Sequence, residues 1–188
     1  MNCKNSMLKR IFFFTLYLFI GLISMGQSPK KTIKKLGNNP IFFIDSVNVD
    51  NSELQKYDPT EIAQVTVYKD KEATDLLGED GKDGVVYIFT KKYTKAKYWL
   101  YFQSKSDDYK KLVPTPESDT AVQYILNKRV LKENFEGNLF IIDDTIFKSI
   151  RLLTKEILLK EFNISEKEFG FQIISDTPDN LYHGKKKF

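Results

Sequence analysis

The chain has 188 residues, of which 41% are hydrophobic, 29% are charged and 14% are aromatic. This composition supports a folded core and excludes a disordered or collagen-like chain. The single Cys and the single His exclude most thiol and metal chemistry, so the sequence predicts neither a metal site nor a cofactor.

The N-terminus predicts an exported protein. Three basic residues precede an apolar run over residues 11–25, which is shorter than the about 20 apolar residues that span a membrane. Small residues then precede a cleavage site between Gly26 and Gln27. These features predict a secretory signal peptide and a mature protein that is periplasmic, associated with the outer membrane or extracellular. The alternative is a leader that is retained as a membrane tether.

Removal of the leader changes the charge and the cysteine content. The formal net charge of the whole chain is +4, but residues 1–26 hold three basic and no acidic residues, which leaves +1 for the mature chain. A nearly neutral chain argues against a nucleic-acid partner. Cys3 leaves with the leader, so the mature fold depends on its core rather than on disulfides.

After a basic linker, short strands and helices alternate. Apolar and β-branched runs predict strands at residues 41–44, 65–68 and 85–90. Asp58 and Pro59 are typical of a helix start, as N-cap and first helical position, and residues 71–77 predict a second short helix. The order is that of an α+β unit with its helices on one face of a small sheet.

Three glycines between the second helix and the last strand predict a sharp turn. Gly78, Gly81 and Gly84 are spaced three residues apart and permit positive φ where the chain must reverse. No Gly-Lys-Ser/Thr sequence follows them, which argues against a phosphate-binding loop.

The same region resembles the plug domain of TonB-dependent outer-membrane receptors. The resemblance covers residues 39–92 and is carried by NPIFFID (39–45), DPTEI (58–62), VTVYKD (65–70), ATDLLG (73–78) and GVVYI (84–88). Two positions differ from the usual pattern, since Ser46 stands where a glycine is usual and Asp80 where an arginine is usual.

The resemblance implies a plug-like fold but not a transporter. A receptor barrel of about 22 strands needs more than about 200 residues in its strands alone, more than the whole mature chain holds. The remaining residues also lack a series of alternating segments of about ten residues. What the resemblance implies is therefore a plug-like module without a pore, with binding or protein contact as its role.

The second half of the chain repeats the pattern less clearly, at an offset of about 85 residues. Residues 150–153, 155–162 and 169–174 predict strand, helix and strand, with a first strand at either 124–131 or 139–143. The fold class is therefore α+β, with two small plug-like β-α-β units, each a short sheet with one or two helices on one face. The predicted segments are a signal peptide (1–26), a basic linker (27–38), a plug-like unit (39–97), a connecting strand and Pro linker (98–120), a divergent second unit (121–176) and a basic tail (177–188).

The connecting segment contains the candidate binding residues. Residues 98–102 predict a strand, on which Tyr98 and Phe102 share one face and Trp99 and Tyr101 the other. An exposed aromatic pair stacks on a sugar or anchors a partner protein, whereas burial of both faces is the alternative and the favoured expectation.

No residue is predicted to be catalytic. The lone His183 lies in a basic tail without a nucleophile beside it. The sequence therefore predicts a non-enzymatic envelope protein that binds an outer-membrane or periplasmic protein, a peptide or a glycan. The alternative function is a periplasmic hydrolase or lyase that uses Asp45, Asp80 and Asp143, which lie at strand ends and turns.

Overall fold

The structure is a computed structural model that describes residues 36–177. Both sheets lie in the compact unit that begins at Gly37. The predicted leader, its cleavage site between Gly26 and Gln27, and His183 in the predicted tail lie outside the described residues. Within residues 36–177, no helix is both long enough and apolar enough to cross a membrane.

The first sheet contains the predicted strands and one strand that the sequence did not predict. Its strands are β1 (Ile41–Ile44), β2 (Val47–Val49), β3 (Ile62–Tyr68) and β4 (Val85–Thr90). Their order is β2-β1-β4-β3. The central strands β1 and β4 are parallel, while each outer strand pairs antiparallel with its neighbour. The unpredicted strand β2 is only three residues long.

The helices that connect the strands of the first sheet start and end at residues suited to those positions. Asp58 accepts a hydrogen bond from the Thr60 amide at 2.8 Å, and Pro59 follows, but only one 3-10 turn forms (Pro59–Glu61) before β3 begins. Helix α1 (Asp70–Leu77) ends at Gly78, whose φ of +62° is accessible to glycine without strain.

A 3-10 helix (Gly78–Asp83) then leads into β4. Gly84 joins it to the strand at a φ of +103° and a ψ of 156°, a conformation that is essentially restricted to glycine. Gly81 is needed for another reason, because a Cβ there would collide with the carbonyl group of Ala73 in α1. Gly78 and Gly84 are thus required for their positive φ angles, whereas Gly81 is required because the 3-10 helix approaches α1 closely.

The second sheet is built from the second half of the chain. Its strands are β5 (Gln123–Leu126), β6 (Arg129–Val130), β7 (Phe147–Thr154) and β8 (Phe169–Ser175). Of the two predicted positions for its first strand, residues 124–131 are correct. The other, residues 139–143, lies at the end of a short helix, α4 (Glu136–Phe140). Helix α5 (Lys155–Phe162) has the predicted bounds.

The two sheets have the same topology and register. The second has the order β6-β5-β8-β7, again with a parallel central pair. The Val65–Ile88 pair of the first sheet corresponds to Ile150–Ile173 of the second, an offset of 85. Both outer strands β3 and β7 also carry a bulge at the equivalent position, after Ile62 and after Phe147. The fold class, α+β with two small sheet units, is confirmed.

The segment between the sheets is helical, so the predicted strand at residues 98–102 is wrong. Helix α2 (Lys91–Lys105) and helix α3 (Asp107–Leu112) occupy it. The Thr90 side chain caps α2 by accepting from the Tyr93 amide at 3.2 Å. Because Tyr98 and Phe102 are four residues apart, they lie on one face of this helix and both enter the core.

The main core lies between this helical segment and one face of the second sheet. It joins Tyr98 and Phe102 of α2 to Tyr124 of β5 and Phe171 of β8, all less than 2% exposed. The opposite face packs against α5, where Leu158 contacts the buried side chains of β5 and β7. The second sheet is therefore covered on both faces, which the sequence did not predict.

Candidate binding surface

One face of the first sheet carries a row of aromatic rings, here called the aromatic face. It consists of Phe43 on β1, Tyr68 on β3, and Tyr87 and Phe89 on β4. The rings of Phe43 and Tyr87 stack, with centroids 4.7 Å apart and planes 9° apart. Tyr68 meets Tyr87 edge-on at 5.9 Å, and Phe89 lies nearly parallel to Tyr87 at 6.1 Å. All four side chains are half-buried.

The row continues beyond the sheet onto two helices. The ring of Phe140 in α4 lies 4.8 Å from that of Phe89, and Tyr93 in α2 lies 5.9 Å from it. The Tyr93 hydroxyl hydrogen-bonds to the Ser46 hydroxyl at 3.0 Å, which joins α2 to the hairpin between β1 and β2. The aromatic face is therefore fixed to its surroundings at this end.

The matching face of the second sheet is closed. Phe43 and Tyr68 correspond in register to Ile125 and Leu153, and both of these are fully buried. They pack with Leu158 of helix α5, which lies over β7 and β8. Since the two sheets share one topology, the difference between the faces comes from side chains and not from the fold.

Helix α1 cannot close the aromatic face as α5 closes its counterpart. The residue of α1 that corresponds to Leu158 is Ala73, and a methyl group covers far less of the sheet than an isobutyl group. Helix α1 also packs mainly against the turn Gly78–Asp83, whereas α5 packs directly on two strands. The aromatic rings are consequently left half-buried.

The candidate binding residues predicted from the sequence lie elsewhere, on α2. Tyr98 and Phe102 are 1% and 0% exposed, the burial that the sequence analysis favoured. Trp99 and Tyr101 are half-buried and hydrogen-bonded within the protein. The Trp99 indole donates to the Val113 carbonyl oxygen at 2.8 Å, and the Tyr101 hydroxyl donates to an Asp144 carboxylate oxygen at 3.0 Å.

Tyr98 belongs to a buried polar group, here called the Asp119 cluster, which comprises Asp119, Tyr98, Tyr109 and Tyr124. The Asp119 carboxylate is 3% exposed and accepts hydrogen bonds from the Tyr98 hydroxyl at 2.5 Å and from the Tyr124 hydroxyl. Tyr109 hydrogen-bonds to Tyr124 at 2.6 Å. The Lys95 ammonium group lies 3.5 Å from the carboxylate, so the buried charge has a counter-ion.

The environment of this cluster suppresses ionisation of its tyrosines. Burial, followed by the negative charge of Asp119, raises the pKa of Tyr98 and that of Tyr124 well above the ordinary value of 10. Burial also raises the pKa of Tyr109. The three hydroxyls therefore remain protonated at neutral pH, as donors and not as general bases.

Two of the three carboxylates of the alternative, enzymatic interpretation, Asp45 and Asp143, accept hydrogen bonds from neighbouring residues. Asp45 accepts from the backbone amide and the hydroxyl of Thr90 at 2.8 and 2.7 Å. The equivalent side chain in the second sheet, Asn127, accepts from the Ser175 amide at 3.0 Å. Both sheets therefore use this position to hold the end of the last strand.

Asp45 and Asp80 lie at opposite ends of β4. Asp45 is bonded to the end of β4, whereas Asp80 lies in the turn before its start. The length of β4 therefore separates them, roughly 17 Å at ~3.3 Å per residue. Paired carboxylates of glycoside hydrolases are at most about 9.5 Å apart. Asp143 accepts from the amide and the hydroxyl of Thr145, which lowers its pKa.

The sequence analysis missed the aromatic face, although a signal for it was present. Tyr87 and Phe89 alternate with Val86 and Ile88 along β4, so the aromatic residues share one side of the strand. Phe43 and Tyr68 join them only through the pairing of β1 and β3 with β4, which a single sequence does not reveal.

Comparison with known proteins gives no relative: no family model, curated protein or solved structure matches this chain.

Proposed function

We propose that this chain is an exported, non-enzymatic envelope protein with a plug-like fold that binds a partner protein through the aromatic face of its first sheet. The observation that carries the proposal is the contrast between two sheets of identical register. One face is closed by a helix, and its counterpart presents four half-buried rings.

The geometry of the rings favours a protein over a glycan as the ligand. Sugars stack on free ring faces, but Phe43 and Tyr87 turn their faces toward each other at 4.7 Å. Within residues 36–177 the hydroxyls of the half-buried Tyr68 and Tyr87 form no hydrogen bond, which leaves them available to a ligand. Tyrosines with an apolar body and a polar tip are typical of the energetic centres of protein interfaces.

The separation of the carboxylates weighs against the alternative function. A hydrolase or lyase that used Asp45 and Asp80 together would need both groups at one substrate, and β4 lies between them. Asp45 is moreover occupied by two hydrogen bonds from Thr90.

The test uses the full chain, tagged at its C-terminus and purified after export, as bait for proteins of solubilised envelopes. A partner identified by mass spectrometry is then purified and titrated against the parent chain, Tyr87→Ser and the matched control Tyr101→Ser. Both tyrosines are half-buried, but Tyr101 lies on α2, away from the aromatic face. Loss of an interface anchor should weaken binding by roughly 30-fold for Tyr87→Ser, with less than a twofold change for Tyr101→Ser.

Three results would contradict the proposal. Equal losses of affinity in both variants would show that the aromatic face is not part of the interface. Binding of the parent chain to a glycan array but to no protein would show that the ligand is a glycan and not a protein. Turnover of a substrate that Asp45→Asn abolishes, in a variant with an unchanged melting temperature, would favour the enzymatic alternative.

A further inference from the structure

Charge is distributed unevenly along the described chain. Residues 37–90, which form the first sheet and its connections, contain eleven acidic and four basic residues, a formal net charge of −7. Residues 91–177 contain thirteen acidic and fifteen basic residues, a formal net charge of +2. The part of the chain that carries the aromatic face is therefore strongly acidic, although the mature chain as a whole is nearly neutral.

The strands of the first sheet contribute none of this charge. All residues of β1–β4 are uncharged, whereas the strands of the second sheet contain Arg129, Lys148 and Arg151. The acidic residues of the first sheet lie in the turns, loops and helix that connect its strands. The aromatic face is thus an uncharged surface with acidic connections around it.

Most of these acidic residues belong to one end of the first sheet, here called the acidic end. β1 and β4 start at this end, and β2 and β3 finish there. Its connections hold seven acidic residues, Asp50, Asp70, Glu72, Asp75, Glu79, Asp80 and Asp83, and three basic residues, Lys69, Lys71 and Lys82. At the other end, where β4 finishes, α2 begins with two lysines, Lys91 and Lys92. The negative charge is therefore concentrated at the acidic end.

One ring of the aromatic face lies at the acidic end. Tyr68 is the last residue of β3 and pairs in register with Val85, the first residue of β4. Asp70 follows Tyr68 by two residues, and Asp83 precedes Val85 by two residues. The Tyr68 hydroxyl forms no hydrogen bond within residues 36–177. A hydroxyl oxygen that can accept a hydrogen bond and several carboxylates therefore belong to the same end of the sheet.

Lysine and arginine side chains match this combination of groups. Their apolar stems pack along hydrophobic surface while the charged group remains in water, and that group donates hydrogen bonds to hydroxyl and carboxylate oxygens. The chain already contains one such contact in the same row of rings, since the Lys97 ammonium group lies 5.2 Å from the ring centroid of Tyr93. An acidic partner would instead be repelled by the net charge of this region.

We propose that the partner of the aromatic face presents a basic segment, whose lysine or arginine stems lie across the rings and whose charged groups point toward the acidic end. This inference rests on the proposed function, because it names the chemistry of the partner that binds the same surface.

Two dye-labelled peptides of about twelve residues serve as probes, a length that crosses the sheet in an extended conformation. The peptides are identical except that every lysine of the first is a glutamate in the second. Fluorescence anisotropy with the purified full chain measures both dissociation constants. At about 50 mM NaCl the lysine peptide should bind at least about tenfold more tightly, and at about 0.5 M NaCl this ratio should fall below about threefold because salt screens the charges.

Variants distinguish binding at this surface from general attraction between a basic peptide and an acidic region. Asp70→Asn with Asp80→Asn removes two exposed charges of the acidic end that are in no ion pair within residues 36–177. The matched control, Glu117→Gln with Glu133→Gln, removes two exposed charges elsewhere. The first pair should weaken lysine-peptide binding roughly fivefold and the control pair less than about twofold. Tyr87→Ser should weaken it about tenfold.

The inference fails if the lysine peptide does not bind, if the glutamate peptide binds as tightly, or if the two double variants weaken binding equally. Self-association of the parent chain at low salt that Tyr87→Ser abolishes would identify a second copy as the occupant and would also overturn it. Circular dichroism of each variant verifies that it is folded.

These outcomes are distinguishable from failure of the proposed function. If an envelope protein binds in a manner that requires Tyr87 but the lysine peptide does not bind, the proposed function stands and the basic segment is excluded. If the lysine peptide binds at the aromatic face but no envelope protein does, the preference for basic ligands stands and the proposed envelope partner is excluded.

Discussion

The buried carboxylate of the Asp119 cluster gives a quantitative prediction. Tyr124→Phe removes one hydroxyl that donates to Asp119 and leaves the ring in the core. A hydrogen bond to a charged group contributes about 1.5–3 kcal/mol, and a buried carboxylate that loses a donor cannot recruit water in its place. At about 2–4 °C per kcal/mol for a chain of this length, the melting temperature should fall by roughly 3–12 °C.

The matched control is Tyr101→Phe. It also removes one hydroxyl that donates to an aspartate, but Asp144 is exposed and keeps its ion pair with Lys105 at 2.6 Å. Its effect on the free energy of unfolding should stay within about 0.5 kcal/mol. Thermal unfolding of both variants, followed by circular dichroism, makes the comparison.

A double-mutant cycle separates the hydrogen bond from other effects of the lost hydroxyl. Tyr124→Phe and Asp119→Asn in combination should be less destabilising than the sum of the single variants, by at least about 0.5 kcal/mol. Equal decreases in melting temperature for Tyr124→Phe and Tyr101→Phe would show that burial of Asp119 does not strengthen its hydrogen bond. Additive effects of Tyr124→Phe and Asp119→Asn on the free energy of unfolding would show that the two side chains do not interact.

Three further predictions concern pH, the glycine turn and the leader. The raised pKa values of the three cluster tyrosines mean that just above pH 10 only the unfolded chain releases their protons. The stabilisation is therefore complete well below pH 10, and the free energy of unfolding should fall by about 3 kcal/mol between pH 10 and pH 11, measured by urea unfolding between pH 8 and 11. A pH-independent free energy of unfolding over this range would refute that assignment. Gly84→Val should destabilise the chain by about 1–3 kcal/mol, because φ is +103° there, whereas the exposed neighbour Lys82→Val should not; equal melting temperatures would exclude backbone strain. The intact mass of the exported protein should correspond to a chain that starts at Gln27, and a mass that includes residues 1–26 would favour the tethered alternative.

Much of the fold could be predicted from local sequence. The predicted bounds of helix α5 coincide with those of the structure, in which Thr154 caps its start and Asn163, at a φ of +55°, ends it. The strand β2 escaped prediction because three residues are too few to show a period. Residues 98–102 were assigned to a strand because four of the five are aromatic and favour strands in isolation. The capping of α2 by Thr90 and burial along one side of the helix outweigh that preference.

The candidate site was less predictable than the fold, because pairing between distant strands creates it. Phe43 and Tyr87 are 44 residues apart in the chain and stack only because β1 and β4 are parallel neighbours. The Asp119 cluster has the same origin, since Asp119 meets Tyr98 across 21 residues. Composition showed that the chain is rich in aromatic residues, but not which of them would meet.

The repeated topology also has a consequence for folding kinetics. In each sheet the parallel central pair requires closure of a long loop, since Ile41 pairs with Val85, 44 residues later, and Gln123 pairs with Gly170, 47 residues later. Because the entropy of loop closure rises only logarithmically with length, the two closures cost almost the same. A difference in the rates at which the two sheets acquire protection from hydrogen exchange during refolding would therefore reflect their side chains rather than their connectivity. The chain thus contains an internal control for separating the contributions of sequence and topology to folding rate.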